Sequence, residues 1–66
     1  MFDVEVRRAG GWSAVAPGLP SRQEATDNAA EVRHAERQRP QGATSVRVMG
    51  LDGNGVRVQL GVWKIR

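Results

Sequence analysis

The sequence predicts a small α+β domain, a four-stranded antiparallel sheet in β-β-α-β-β order with one helix packed on one face. Three observations predict it. Apolar and polar residues alternate in two segments at the head of the chain, a capping box opens a helical stretch in the middle, and two more alternating segments flank a glycine-rich turn. Alternation with a period of two marks a half-buried strand, because successive side chains point to opposite faces. With 66 residues, the chain has room for one domain, 1–66.

Taken in order, Phe2, Val4 and Val6 alternate with Asp3, Glu5 and Arg7, which defines the first strand. Gly10-Gly11 reverses the chain, Trp12 to Ala16 returns, and Pro17-Gly18-Leu19-Pro20 ends the hairpin. Ser21-Arg22-Gln23-Glu24 is a capping box, so a helix starts there. It can run to Gln38 or Arg39, because Pro40 biases the preceding residue away from helical geometry and Gly42 follows. On a helical wheel Ala25, Ala29, Val32 and Ala35 share an arc, with Asp27, His34 and Gln38 opposite. Three of those four are alanine, so the helix must approach its support closely. Thr44, Val46 and Val48 then alternate with Ser45, Arg47 and Met49, Asp52-Gly53-Asn54-Gly55 turns the chain, and Val56, Val58 and Leu60 alternate with Arg57 and Gln59.

Register decides which side chains share a face, since a slip of one residue exchanges the two sides of a strand. Val46 and Val48 join Val56, Val58 and Leu60 if the second hairpin loop holds an odd number of residues. The same parity in the first hairpin, with a loop Ala9-Gly10-Gly11, places Trp12, Ala14 and Ala16 beside Val4 and Val6. A two-residue Gly-Gly turn would instead expose Trp12 and bury Val15. The first register is the expectation, because both loops carry glycine where a three-residue hairpin needs a left-handed residue. At the far end two registers stay open. A bulge at Gly61 returns Trp63 and Ile65 to the core, and without one they join the outer face.

Composition limits what so small a chain can do. The apolar share is 39%, but eight of those residues are alanine, which leaves a thin interior. Small domains of this size often lean on disulfides, a metal or a second subunit, and the sequence has no cysteine. A homodimer is therefore expected. No apolar run approaches the ~20 residues that cross a bilayer, and Met1 to Val6 lack the basic and apolar segments of a signal peptide, so the reading is a cytoplasmic protein without a membrane role. The net charge of +3 comes from ten basic and seven acidic residues, nine of the ten being arginine. Arginine suits carboxylate or phosphate partners, although an excess of three is modest for a nucleic-acid binder.

Little in the chain points to catalysis. Asp52-Gly53-Asn54-Gly55 has the look of a calcium loop, but the positions that need an acidic residue before it and a glutamate at its end are Gly50 and Gly61. Gly50, Gly53 and Gly55 enter a strand, so no helix N-terminus stands ready for a nucleotide phosphate. His34 lies opposite the apolar arc beside Arg33 and Arg37, with Glu31 and Glu36 read as solvated helix residues. Arg33, Arg37 and Arg39 complement the helix dipole without needing a ligand. The expectation is no enzyme, no cofactor, no metal and no small-molecule substrate.

The face turned away from the helix is the expected working surface. It would carry Arg7, Ser13, Val15, Arg47, Met49, Arg57 and Gln59, with Asp3 and Glu5 among them and Trp63 in the register without a bulge. Arginine, tryptophan and methionine are enriched in protein interfaces. The expected partner-binding residues are therefore Arg7, Val15, Arg47, Met49, Arg57 and Trp63, with Arg47 and Arg57 as charged contacts and Met49 and Trp63 as apolar anchors. The function they imply is a non-catalytic binding or regulatory module, of bacterial or phage origin, that meets a protein partner or a second copy of itself. A nucleic-acid binder using the same arginines is the alternative, by stacking and clamping a single strand.

Two resemblances accompany this reading. Gly11-Trp12 opening a strand, Glu24-Ala25 early in a helix and Asp52-Gly53 in a late hairpin resemble a family of small bacterial domains of unknown function, which implies a compact sheet-plus-helix fold and no chemistry; Gly61-Val62-Trp63 departs from the aromatic-glycine ending of that family. Residues 2 to 35, with their hairpin, Pro17-Gly18-Leu19-Pro20 and a Glu-Ala helix, are similar to the start of HicB-like antitoxins. That resemblance implies a domain that sequesters a small toxin, although the strand expected before the helix is reduced here to Leu19.

Overall fold

The computed structural model describes residues 1–65. Its elements are β1 (Phe2–Arg8), β2 (Gly11–Leu19), α1 (Arg22–Gln38), β3 (Ser45–Leu51) and β4 (Arg57–Lys64). All neighbouring strands are antiparallel in the order β2-β1-β3-β4, so β1 and β3 are central and β2 and β4 are edges. The helix packs on β1, β2 and β3 from one side. The α+β fold and strand order along the chain are those the sequence predicts.

The helix begins where the capping box places it. Ser21 is extended, and its side-chain oxygen accepts from the Glu24 N–H at 3.1 Å, satisfying one of the donors that a helix start leaves free. Ala25 and Ala29 are fully buried against the sheet, Val32 is half-buried and Ala35 is exposed. The small side chains bring the helix backbone close at its N-terminal half. Beneath it Val4 and Val6 of β1, Val46 and Val48 of β3, and Ile65 form the core, with Phe2, Leu19, Leu60 and Trp63 packed around them.

The second hairpin has the expected parity. Leu51 pairs with Arg57 across the five residues 52–56, an odd loop, and Val58 lies opposite Gly50 on the helix side. Asp52 organises this turn: its carboxylate accepts from the Asn54 N–H at 2.8 Å and the Val56 N–H at 2.9 Å. Of the two registers open at the end of the chain, the structure has the bulged one. The ladder shifts between Val48 and Met49, where Gly61 and Gln59 face consecutive residues and Leu60 is the extra one. Trp63 then pairs with Val46 and Ile65 is buried.

The first hairpin corrects the sequence reading. Arg8 pairs with Gly11 and Arg7 with Trp12, so the loop is the two-residue Ala9-Gly10 and the parity is even. Trp12 and Ala14 therefore stand on the open face, and Ser13 lies opposite Val6 on the helix side. A bulge follows, in which Glu5 pairs with Ala14 but Val4 pairs with Ala16, leaving Val15 as the extra residue. The bulge restores the expected parity at Ala16, which packs on the core opposite Val4, and a second shift between Phe2 and Val4 brings Leu19 opposite Phe2, where it packs on the core too. Glycine is required near both ends of β2, where Gly11 has φ 111° and Gly18 has φ 70°.

Glu36 is a second correction. It is buried, and its carboxylate accepts from Arg8 at 3.3 Å and from the Gln41 N–H at 2.9 Å. It anchors the α1–β3 connection to β1 rather than solvating the helix. Arg33 and Arg37 likewise have tertiary partners, donating through Nε to the carbonyls of Lys64 and Ile65, each at 2.9 Å.

Candidate functional site

Among the described residues the side of the sheet away from α1 carries no second layer, and pairing arranges its side chains in rows across the strands. One row runs Trp12, Arg7, Ser45, Lys64; the next runs Ala14, Glu5, Arg47, Val62; beyond them lie Asp3, Met49 and Gln59, then Leu51 and Arg57. Alternation along β1, β3 and β4 makes this arrangement unavoidable once Val4, Val6, Val46 and Val48 face the helix.

Glu5 is the hub of the middle rows. It is buried, and it accepts from Arg47 Nε at 2.8 Å and Nη2 at 2.7 Å on one oxygen and from Arg57 Nη2 at 2.8 Å on the other. Arg57 also reaches Asp3 at 3.1 Å, and the other Asp3 oxygen accepts from the Gly18 N–H at 2.9 Å. The Gly18 N–H meets that carboxylate because the β1–β2 ladder shifts again between Phe2 and Val4. The guanidinium carbon of Arg47 sits 4.0 Å from the centre of the Trp12 ring, a cation–π stack that reaches diagonally over β1.

These contacts set the charge state of the face. The Gly18 N–H holds the Asp3 carboxyl below its usual range, with Arg57 acting in the same direction against the effect of burial. Burial pushes Glu5 up, but hydrogen bonds and charge from Arg57 and Arg47 outweigh it and leave the carboxyl below its usual range. Arg57 is held even more firmly in its cationic form by Glu5 and Asp3. The centre of the face thus carries two carboxylates and two guanidiniums, balanced in charge. Arg7 and Lys64 add positive charge at the Ser45 end.

The six expected partner-binding residues divide between surfaces. Arg7, Arg47, Met49 and Arg57 are on the open face as expected. Arg47 and Arg57 are already engaged by carboxylates, and Met49 is only 8% exposed, so it does not stand out as an anchor. Val15 and Trp63 lie on the helix side. Val15 lines a cleft with Val32 and Ala35 beside α1, and the bulge at Leu60 turns Trp63 to the helix side, where it lines a second cleft with Thr26, Ala29, Ala30 and Arg33. The apolar residues that the open face does offer are Trp12, half-buried under Arg47, and the exposed Val62 and Leu51. Pairing Glu5 with Arg47 was legible in principle, since both lie on the open face of adjacent strands, whereas Trp12 was hidden by the parity of its turn.

Among the described residues no cluster of histidine, cysteine, aspartate or glutamate is arranged to hold a metal ion, and no helix is long and apolar enough to cross a membrane. Comparison with known proteins finds no matching family model, no matching curated protein and no matching solved structure.

Proposed function

We propose that this domain is a non-catalytic protein-binding module whose working surface is the open face of the sheet, with a second copy of the chain as its partner. The observation that carries the reading is the Asp3–Arg57–Glu5–Arg47–Trp12 network. It fixes long side chains before binding, so little of their rotamer freedom remains to be lost when another surface arrives. It also engages Arg47 and Arg57 with carboxylates, so that of the cations on this face only Arg7 and Lys64 are left for a phosphate backbone, which supports a protein over a nucleic acid as the ligand. Two copies stacked in opposite strand directions keep their Arg7 and Lys64 ends apart.

The size of the face sets the strength. Four strands about 4.8 Å apart and roughly seven residues long give a projected area of about 440 Å². A standard interface removes about 800 Å² from each partner, so association through this face belongs to the weak, reversible class.

Sedimentation from micromolar to millimolar concentration tests the reading, with Val62→Glu as the variant. Val62 is half exposed and outside the ion-pair network, so the fold tolerates the change. The expected result is a concentration-dependent dimer that Val62→Glu abolishes. A wild-type chain that stays monomeric at millimolar concentration rejects the second copy as partner, and a dimer indifferent to Val62→Glu rejects the face. Reversing Arg47 and Arg57 to glutamate is a poorer test, because it would place new carboxylates against the buried Glu5 and unfold the sheet.

A further inference from the structure

The side of the domain opposite the open face holds a cleft between β2 and α1 that the fold leaves unfilled. Successive members of the helix's apolar arc pass from buried Ala25 and Ala29 to half-buried Val32 and exposed Ala35, so the support under α1 falls away toward its C-terminal end. Val15, the extra residue of the β2 bulge, is 43% exposed and faces the same gap. Bulges re-aim a side chain, and this one aims a valine at the helix without closing on it. The resulting cleft measures about 270 Å³ and is walled by Val6, Val15, Val32 and Ala35.

Charge distinguishes the possible occupants. Glu36 on the cleft wall is already matched by Arg8 and by the Gln41 N–H. Arg39 stands at the rim, exposed, and has no ion-pair partner among the described residues. The cleft therefore combines apolar walls with one uncompensated guanidinium. Pockets for whole small molecules run from about 300 Å³ upward and enclose most of the ligand. A cleft below that size, open along one side, suits a single apolar side chain of an extended segment.

We propose that this cleft is a docking site for an acidic peptide segment of another protein, which places one aliphatic or aromatic side chain between Val15 and Val32 and a carboxylate on Arg39. The site is independent of the open sheet face and does not rest on the reading given for it.

Amide chemical shifts of the full chain, followed while the blocked peptide acetyl-Glu-Leu-Phe-Asp-Glu-Gly-amide is added to millimolar concentration, test the proposal. Shifts should gather at Val15, Ala16, Val32, Ala35 and Arg39, and a counterpart with lysine in place of each acidic residue should produce none. Arg39→Glu should weaken binding by about tenfold or more, the effect of losing a charge-assisted hydrogen bond. That variant keeps its fold, because the Arg39 contact that ends the helix is made by its backbone N–H to the Ala35 carbonyl at 2.8 Å. Absence of shifts, shifts confined to Arg47 and Val62, equal binding of the lysine peptide, or an unaffected Arg39→Glu variant would each overturn the proposal.

Discussion

Replacing Glu5 with glutamine should destabilise the domain by about 2 kcal/mol, and the figure follows from where the carboxylate sits. Removing one partner of a fully buried ion pair costs about 3–5 kcal/mol, because the other charge stays behind unpaired. Here the Glu5 side chain is 9% exposed, but Arg47 is 19% and Arg57 49% exposed, so water partly screens the two guanidiniums left facing each other. Screening lowers the expected loss toward about 2 kcal/mol. For a chain of this length the whole stability is about 3–10 kcal/mol, which makes the loss large. Urea titration with tryptophan fluorescence is the assay, since the Trp12 ring lies under Arg47, and the melting temperature should fall by about 8–16 °C. A loss below about 0.5 kcal/mol would refute the reasoning and reduce the network to an ordinary solvated surface pair.

Three further outcomes are expected. Acid should unfold the domain through the same network: the folded carboxyls of Asp3 and Glu5 titrate below their unfolded values, so their contribution is complete above the ordinary carboxylate range near pH ~4 and is lost as pH falls through the lowered folded values. Thermal melts should be flat from neutral pH down to about 5 and fall steeply below about 4, and a melting temperature rising in that acid range would contradict the assignment. Gly50→Ala should cost about 1–3 kcal/mol in urea titration, because a Cβ there would stand 2.8 Å from Leu60 Cδ1 and 3.1 Å from the Phe2 ring on the covered face. Glu36→Ala should cost about 1–3 kcal/mol by stranding the Gln41 N–H and Arg8, and a neutral result would return Glu36 to the solvated role its sequence context suggests.

Much of the architecture is readable from local rules because those rules agree with one another. The capping box, Pro40 and the alanine arc all describe one helix, and the alternation of valines in β1 and β3 fixes which side it covers. The arginines of α1 show where local reading fails. Read locally, Arg33 and Arg37 complement the helix dipole, whereas the folded chain brings the Lys64 and Ile65 carbonyls within 2.9 Å of them. A contact across some thirty residues leaves no periodic trace, and neither does the burial of Glu36, whose partners come from β1 and from the loop after the helix.

The parity of β2 is the decisive case, because it determines the chemistry of both surfaces at once. A hairpin loop of two residues rather than three moves Trp12 from the core to the open face, where Arg47 can stack on it and complete the charged network. Uncorrected, that parity would also turn Ala16 to the open face. The bulge at Val15 returns Ala16 to the core side, the price being a valine left between strand and helix, and the second shift, between Phe2 and Val4, sets Leu19 opposite Phe2. Trp12 on the open face and Val15 beside the helix are thus both consequences of a single register choice. Deleting Val15 should therefore flatten the bulge and remove one wall of the cleft while Ala16 stays opposite Val4 and Leu19 opposite Phe2, whereas Val15→Ala, which keeps the bulge, should alter the cleft wall alone; amide chemical shifts that move at Leu19 in the deletion variant would contradict this register.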